Sequence, residues 1–224
     1  MEEIIYSTAL ISILQIIAID IVLGGDNAIV IALACKNLPS KYRKLGIFYG
    51  ALGAILLRII MVFFAATLLS IYGLKLVGGI LLLWIAIKLV LDHDKTTDIK
   101  VNQEKNLLGA IKTIIVADFV MSLDNSIAIA AAADGNIYLV IFGVLLSIPI
   151  IIWGSSLILK LIDNYPIIIY LGSALLGWIG GEMIQTDILF QDNNYFSQLH
   201  SALIPLVGSS FVVMFSIIYK TYKK

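Results

Sequence analysis

The sequence predicts an all-α, polytopic membrane bundle. It has seven transmembrane helices, arranged as two inverted three-helix repeats plus one extra C-terminal helix. Three observations carry this reading. Of 224 residues, 60% are hydrophobic and 13% charged, against about 45–50% apolar and about 25% charged in soluble domains. The apolar residues gather into seven long stretches. One acidic motif occurs in two of those stretches, where charge is least expected. The whole chain, 1–224, reads as a single transmembrane domain.

A helix needs about 20 mostly apolar residues to cross the hydrocarbon. The stretches lie at roughly 4–34, 45–69, 74–91, 107–133, 138–162, 167–186 and 204–219. The first opens on Glu2-Glu3 without a basic start and carries Asp20 and Asp26, so it reads as a span rather than a cleaved signal. It is too long for one straight crossing, which predicts a break or tilt near Gly24-Gly25. The second carries Arg58 near its middle, and the third ends with Lys88. A mixed-charge run over 92–106 separates the third from the fourth and reads as a solvated loop.

Lysine and arginine set the orientation. Lys36, Lys41, Arg43, Lys44, Lys95, Lys100, Lys105, Lys160, Lys220, Lys223 and Lys224 all fall on one side, against Lys75 alone on the other. The rich side is taken as cytoplasmic, with the N-terminus outside and the C-terminus inside.

Residues 20–34 read DIVLGGDNAIVIALA and residues 118–132 read DFVMSLDNSIAIAAA. Without gaps, Asp20 matches Asp118, Asp26 matches Asp124 and Asn27 matches Asn125. Further on, Gly50 matches Gly143, Gly78 matches Gly172, Trp84 matches Trp178 and Lys88 matches Glu182. The unit is three helices, about 4–91 and about 107–186, with the helix at 204–219 left over. Three is odd, so the second copy crosses the membrane in the opposite sense. Secondary transporters are often built this way, with the site at the repeat interface.

A carboxylate near the centre of a spanning helix costs about 2.5–3.5 kcal/mol even on the mild insertion scale. Protonated Asp residues can serve as interhelical glue worth about 0.6 kcal/mol each, but glue does not require the same D-x5-D-N in two symmetric places. At 100° per residue, a spacing of seven puts Asp20 and Asn27 on one face, and Asp118 and Asn125 likewise. Two such helices crossing are expected to gather four carboxylates and two amide oxygens. Gly24 and Gly25 in one, and Ser122 in the other, are accessory candidates. An oxygen-rich set suits a hard divalent ion such as Mn²⁺, Mg²⁺ or Ca²⁺. Met121 lies three residues from both Asp118 and Asp124, where its sulfur would favour Mn²⁺; packing is the plainer role. Arg58 reads as a counter-charge to the Asp cluster, or else as a partner of Glu182. Lys88 and Glu182 line access pathways or pair with neighbours.

Other classes are excluded or weakened. Lys+Arg and Asp+Glu are equal at 15 each, so no basic field draws nucleic acid. Cys35 alone allows no internal disulfide and no multi-cysteine metal site. His93 and His200 leave little for zinc. No G-x4-G-K-[ST] is present for nucleotide-driven pumping, so the energy is expected from an entering ion; the chain is read as a transporter rather than an enzyme, with no organic cofactor. LGGD resembles part of an intramembrane aspartyl protease motif, but four buried Asp residues in near-copied contexts do not suit that two-Asp chemistry.

LGGDNAIVIALA together with SLDNSIAIAAA resembles the TerC family of bacterial membrane proteins over nearly the whole chain. The length, the GEMIQTD stretch around Glu182 and the short central loop are similar to its compact, YjbE-like branch. The resemblance implies a multi-pass protein of the bacterial plasma membrane that exports Mn²⁺ as its transported substrate, a relative of LysE-type exporters. Its acidic motifs fall on Asp20, Asp26, Asn27, Asp118, Asp124 and Asn125. Delivery of Mn²⁺ to exported enzymes is the alternative it carries. The expected partners are the lipid bilayer, a divalent cation and a counter-transported H⁺ or Na⁺; oligomerisation is left open.

Overall fold

The structure, a computed structural model, describes residues 11, 13–20, 25–91, 103–133, 136–191 and 202–222. Within them the chain is helical between short turns. The helices are α1 Ile13–Asp20, α2 Gly25–Cys35, α3 Ser40–Leu69, α4 Leu74–Leu91, α5 Gln103–Ala132, α6 Ile137–Asn164, α7 Ile167–Gln185, α8 Ile188–Gln191 and α9 Leu203–Tyr222. Hydrocarbon offers backbone N–H and C=O groups no water, so each segment must satisfy them itself.

Among the described residues, five helices are long and apolar enough to span: α3, α4, α5 over Asn106–Ala132, α6 and α7. The pair α1 and α2 passes the same test together, its halves set at 47°, which makes six. The seventh expected span, α9, does not pass the same test: its apolar part, Leu203–Tyr219, falls in the shorter class. At 1.5 Å per residue it reaches about 26 Å, short of the ~30 Å hydrocarbon. The 47° angle falls where the sequence predicts a break, although Gly24 itself lies outside the described residues. So do residues 4–10, 92–102 and His200. Several helices outrun the apolar stretches: α3 begins at Ser40 after Pro39, α5 takes in residues 103–106, and α6 ends at Asn164.

Helices α3 and α5 pack along each other, α2 packs on α6, and α4 packs on α7, which in turn carries α9. Phe63, Tyr138, Trp153 and Val207 point outward, as side chains facing acyl chains do. Close approach needs small residues: a Cβ on Gly79 would overlap the Gly180 carbonyl, and one on Gly180 would lie 2.9 Å from that of Gly79. Gly50 takes the side chain of Ile114, and Gly143 takes that of Ile16.

Polar contacts tie both ends. At one end Arg43 bonds Asp163 at 2.6 Å and the carbonyls of Leu38 and Lys36. There too, Lys36 Nζ donates to the Leu89 carbonyl at 2.6 Å. At the other end Asp187, 1% exposed, accepts from the N–H groups of Gly73, Leu76 and Leu189 at 3.0–3.1 Å. These bonds fix direction: α2 runs toward the end of α4 that holds Leu89, and α7 runs toward the end that holds Gly73.

Candidate functional site

Three charged side chains meet in the middle of the bundle, from three helices. Arg58 of α3 donates through one terminal nitrogen to Asp20 of α1 and through the other to Asp118 of α5. Its Nε donates to Ser122 Oγ at 3.1 Å, and Ser122 Oγ donates to Asp118 Oδ2 at 3.1 Å. Ser147 of α6 donates to the second oxygen of Asp20. All three charged side chains are at most 3% exposed. A guanidinium suits this place because its planar fork meets two carboxylates at once. With both carboxylates ionised, two carboxylates and one guanidinium leave one net negative charge in a buried interior.

Sequence offers Arg58 two partners, the Asp cluster or Glu182. The structure pairs it with Asp20 and Asp118, while Glu182 is exposed on α7. Lys88 is also exposed, with its Nζ 5.1 Å from the Trp84 ring centre. Met121 is buried and Gly25 is exposed, with open space where a Cβ would be. Ser122 joins the cluster in the matching place of the repeat, as described.

The expected gathering of four carboxylates is corrected. Among the described residues, no three His, Cys, Asp or Glu side chains come together. The spacing within the motif explains this. Six residues of helix rotate a side chain by about 240° and carry it about 9 Å along the axis. Asp124 therefore leaves the centre. Its carboxylate lies 2.5 Å from Lys75 Nζ of α4 and is about half exposed. Asp26 sits half-buried in the first turn of α2, where its Oδ1 accepts from the Asn27 N–H at 2.9 Å.

Asn27 stays with the centre. It is 3% exposed, and neither its amide nitrogen nor its amide oxygen has a hydrogen-bond partner. Its side chain lines a small cavity shared with Val30, Ile31, Ile114 and Asp118. A buried unpaired amide costs about 1–3 kcal/mol, which sets Asn27 apart from the hydrogen-bonded serines of the cluster. Asn125, its repeat partner, is partly exposed and engaged.

Two participants carry no strong sequence signal. Ser147 also bonds its own helix at Val144 O, so a serine in an apolar run announces nothing. Asp187 marks the end of α7 in sequence, and its main partners lie 111 and 114 residues away.

The family model described as "Integral membrane protein TerC family" matches residues 5–224. "Uncharacterized membrane protein YjbE" of Bacillus subtilis is 42% identical over 218 residues, covering 96% of this chain and 98% of that one. "Uncharacterized membrane protein YkoY" of the same organism is 26% identical, over 87% of this chain and 66% of its own. A "UPF0053 protein" of Haemophilus influenzae is 26% identical, over 89% and 93%. No solved structure matches the chain.

Proposed function

The chain belongs to the TerC family of integral membrane proteins, and from that premise we propose that it exports a divalent metal cation, Mn²⁺ foremost, in exchange for protons. One observation supports this above the others. Asp20 and Asp118 are buried at the centre of a membrane bundle, and unpartnered Asn27 shares a cavity with Asp118. Oxygen donors of this kind suit a hard divalent ion. Packing alone gives no reason to bury two carboxylates at this cost.

We read the architecture as two inverted three-helix repeats, with the bent pair α1–α2 as one span, and α9 as a seventh, in the plasma membrane with the C-terminus cytoplasmic. Packing supports the repeat. Ile16 and Ile114 each stand four residues before the first Asp of their motif. Each fills the groove left by a glycine, Gly143 and Gly50, that the repeat also matches. Among the described residues, Lys36, Lys41, Arg43, Lys44 and Lys160 gather at the Arg43 end, which is the cytoplasmic one by the charge rule. The outer carboxylates then mark two routes. Asp26 is on the helix running to the cytoplasmic end. Asp124 lies toward the external end, held by Lys75.

Export against a negative interior costs about 2.3 kcal/mol per charge per 100 mV, or about 4.6 kcal/mol for a divalent ion. No nucleotide motif is present to supply it, so an entering ion does. Carboxylates that lose a metal bind protons and release them when metal returns. Purified protein in liposomes is the test. Mn²⁺ should move with no partner protein present, drive proton movement the opposite way, and stop when a protonophore is added. Movement that follows a sodium gradient instead would replace H⁺ with Na⁺. No movement without a partner would favour metal delivery over transport.

A further inference from the structure

We propose that Arg58 is a tethered competitor of the transported ion, occupying the carboxylates of Asp20 and Asp118 whenever the ion is absent and leaving them when it binds. The inference rests on the reading of this site as a divalent-cation site.

Every oxygen of the two carboxylates already accepts a hydrogen bond. One oxygen of each takes an Arg58 nitrogen; the others take Ser147 and Ser122. The guanidinium therefore bridges the two carboxylates, where a shared metal ion would have to sit. A divalent ion requires oxygens at about 2.0–2.6 Å, which leaves no room for both. Mutual repulsion between the two cations, in a region of low dielectric, opposes sharing as well. Asn27 is the complementary half of the device. Arg58 does not engage it, and its amide oxygen, which accepts no hydrogen bond, belongs to the side chain that lines the cavity beside Asp118 and can ligate a cation.

The arrangement selects by charge. A monovalent ion offers the carboxylates the same charge as Arg58 without its paired hydrogen bonds, so it does not displace the guanidinium. A divalent ion brings twice the charge and does. Arg58 also comes from α3 whereas the carboxylates come from α1 and α5, so its departure is linked to how these helices pack.

The test is equilibrium Mn²⁺ binding to the full chain in detergent, by titration calorimetry, for wild type, Arg58→Gln, Arg58→Lys and Asp118→Asn. If Arg58 occupies the site for at least about nine-tenths of the time, Arg58→Gln binds Mn²⁺ at least about tenfold more tightly. Arg58→Lys, whose single ammonium holds one carboxylate at a time, falls between. Sodium at high concentration competes with Mn²⁺ in Arg58→Gln and not in wild type. Folded Arg58→Gln with unchanged or weaker Mn²⁺ affinity overturns the proposal. If that variant gives no monodisperse protein, Arg58→Lys decides in the same way. Equal binding by Asp118→Asn and wild type, or no binding by any form, defeats the cation-site reading itself, whatever Arg58 does.

Discussion

The two Asp residues of each motif have different fates. Asp20 and Asp118 face each other across Arg58 and are almost completely buried. Asp26 is half-buried in the first turn of α2, and Asp124 is about half exposed and held by Lys75 of α4. The same sequence motif thus makes two tiers. On the proposed inverted-repeat reading, the centres of the two copies meet and the second Asp of each lies on a different side of them. In the proposed transport the inner tier holds the ion between the halves, and each outer carboxylate serves one side.

The sharpest way to break this comparison is to neutralise the tiers separately. Asp20→Asn and Asp118→Asn should each reduce Mn²⁺ transport in liposomes at least about 100-fold, equivalent to about 2.7 kcal/mol of lost interaction. Stability in detergent should hold or rise, because the inner trio changes from one net negative charge to none. Removing the guanidinium has the opposite signature. Arg58→Met leaves two buried carboxylates without a counter-charge and should cost about 3–5 kcal/mol in thermal unfolding, with Mn²⁺ recovering part of it. Equal transport losses in the inner and outer tiers would erase the distinction.

Asp187 provides a control: a carboxylate just as buried, yet satisfied by backbone. It accepts from the first turns of α4 and α8, as capping residues do. Asp187→Ala should lower stability by about 1–2 kcal/mol and leave transport per folded molecule unchanged. Burial alone would raise this carboxyl. The N–H groups of Leu189, Leu76, Gly73 and Lys75 outweigh it and hold the group below the usual carboxylate range. A depressed carboxylate stabilises the fold above its unfolded value and loses that contribution as pH falls through its folded value. The gap between wild type and Asp187→Ala should therefore be full at neutral pH and close below about pH 4. A gap independent of pH would assign the loss to packing rather than to the charge.

How much of this is legible in the sequence follows from how costly each residue is. Asp20, Asp118 and Arg58 stand out because charge in an apolar run is expensive, so each demands a reason. Their meeting is anticipated by the repeat, since no local spacing links α3 to α1 or α5. The period of seven does not carry from Asp20 to Asn27, because α1 and α2 meet at 47° between them; Asn27 instead lines the cavity beside Asp118. The four-carboxylate cluster was not legible as drawn, because the motif's interval of six rotates the second Asp away from the first. Ser147 was illegible for a different reason. A serine that bonds its own helix costs little in lipid, so its donation to Asp20 leaves no trace in composition. The short C-terminal helix sits at the length where an apolar stretch alone does not decide between crossing and not crossing.

The smallest expected effect concerns the outer tier. Lys75 and Asp124 lie 2.5 Å apart, but the carboxylate is about half exposed, and exposed pairs contribute only about 0.2–1 kcal/mol. A double-mutant cycle with Lys75→Met and Asp124→Asn should give a coupling in stability within that range. The cycle is more informative for transport. If Lys75 restrains Asp124 on the external route, Lys75→Met should speed Mn²⁺ transport about two- to fivefold at low metal, because removing a bond worth about 1 kcal/mol changes an opening equilibrium by that factor. Asp124→Asn removes the same restraint but also the route's only acidic group among the described residues of that end of α5. It should slow transport, and the double variant should match it. Lys75→Met that slows transport as much as Asp124→Asn would make the pair a single structural strut, and the external route would have to run elsewhere.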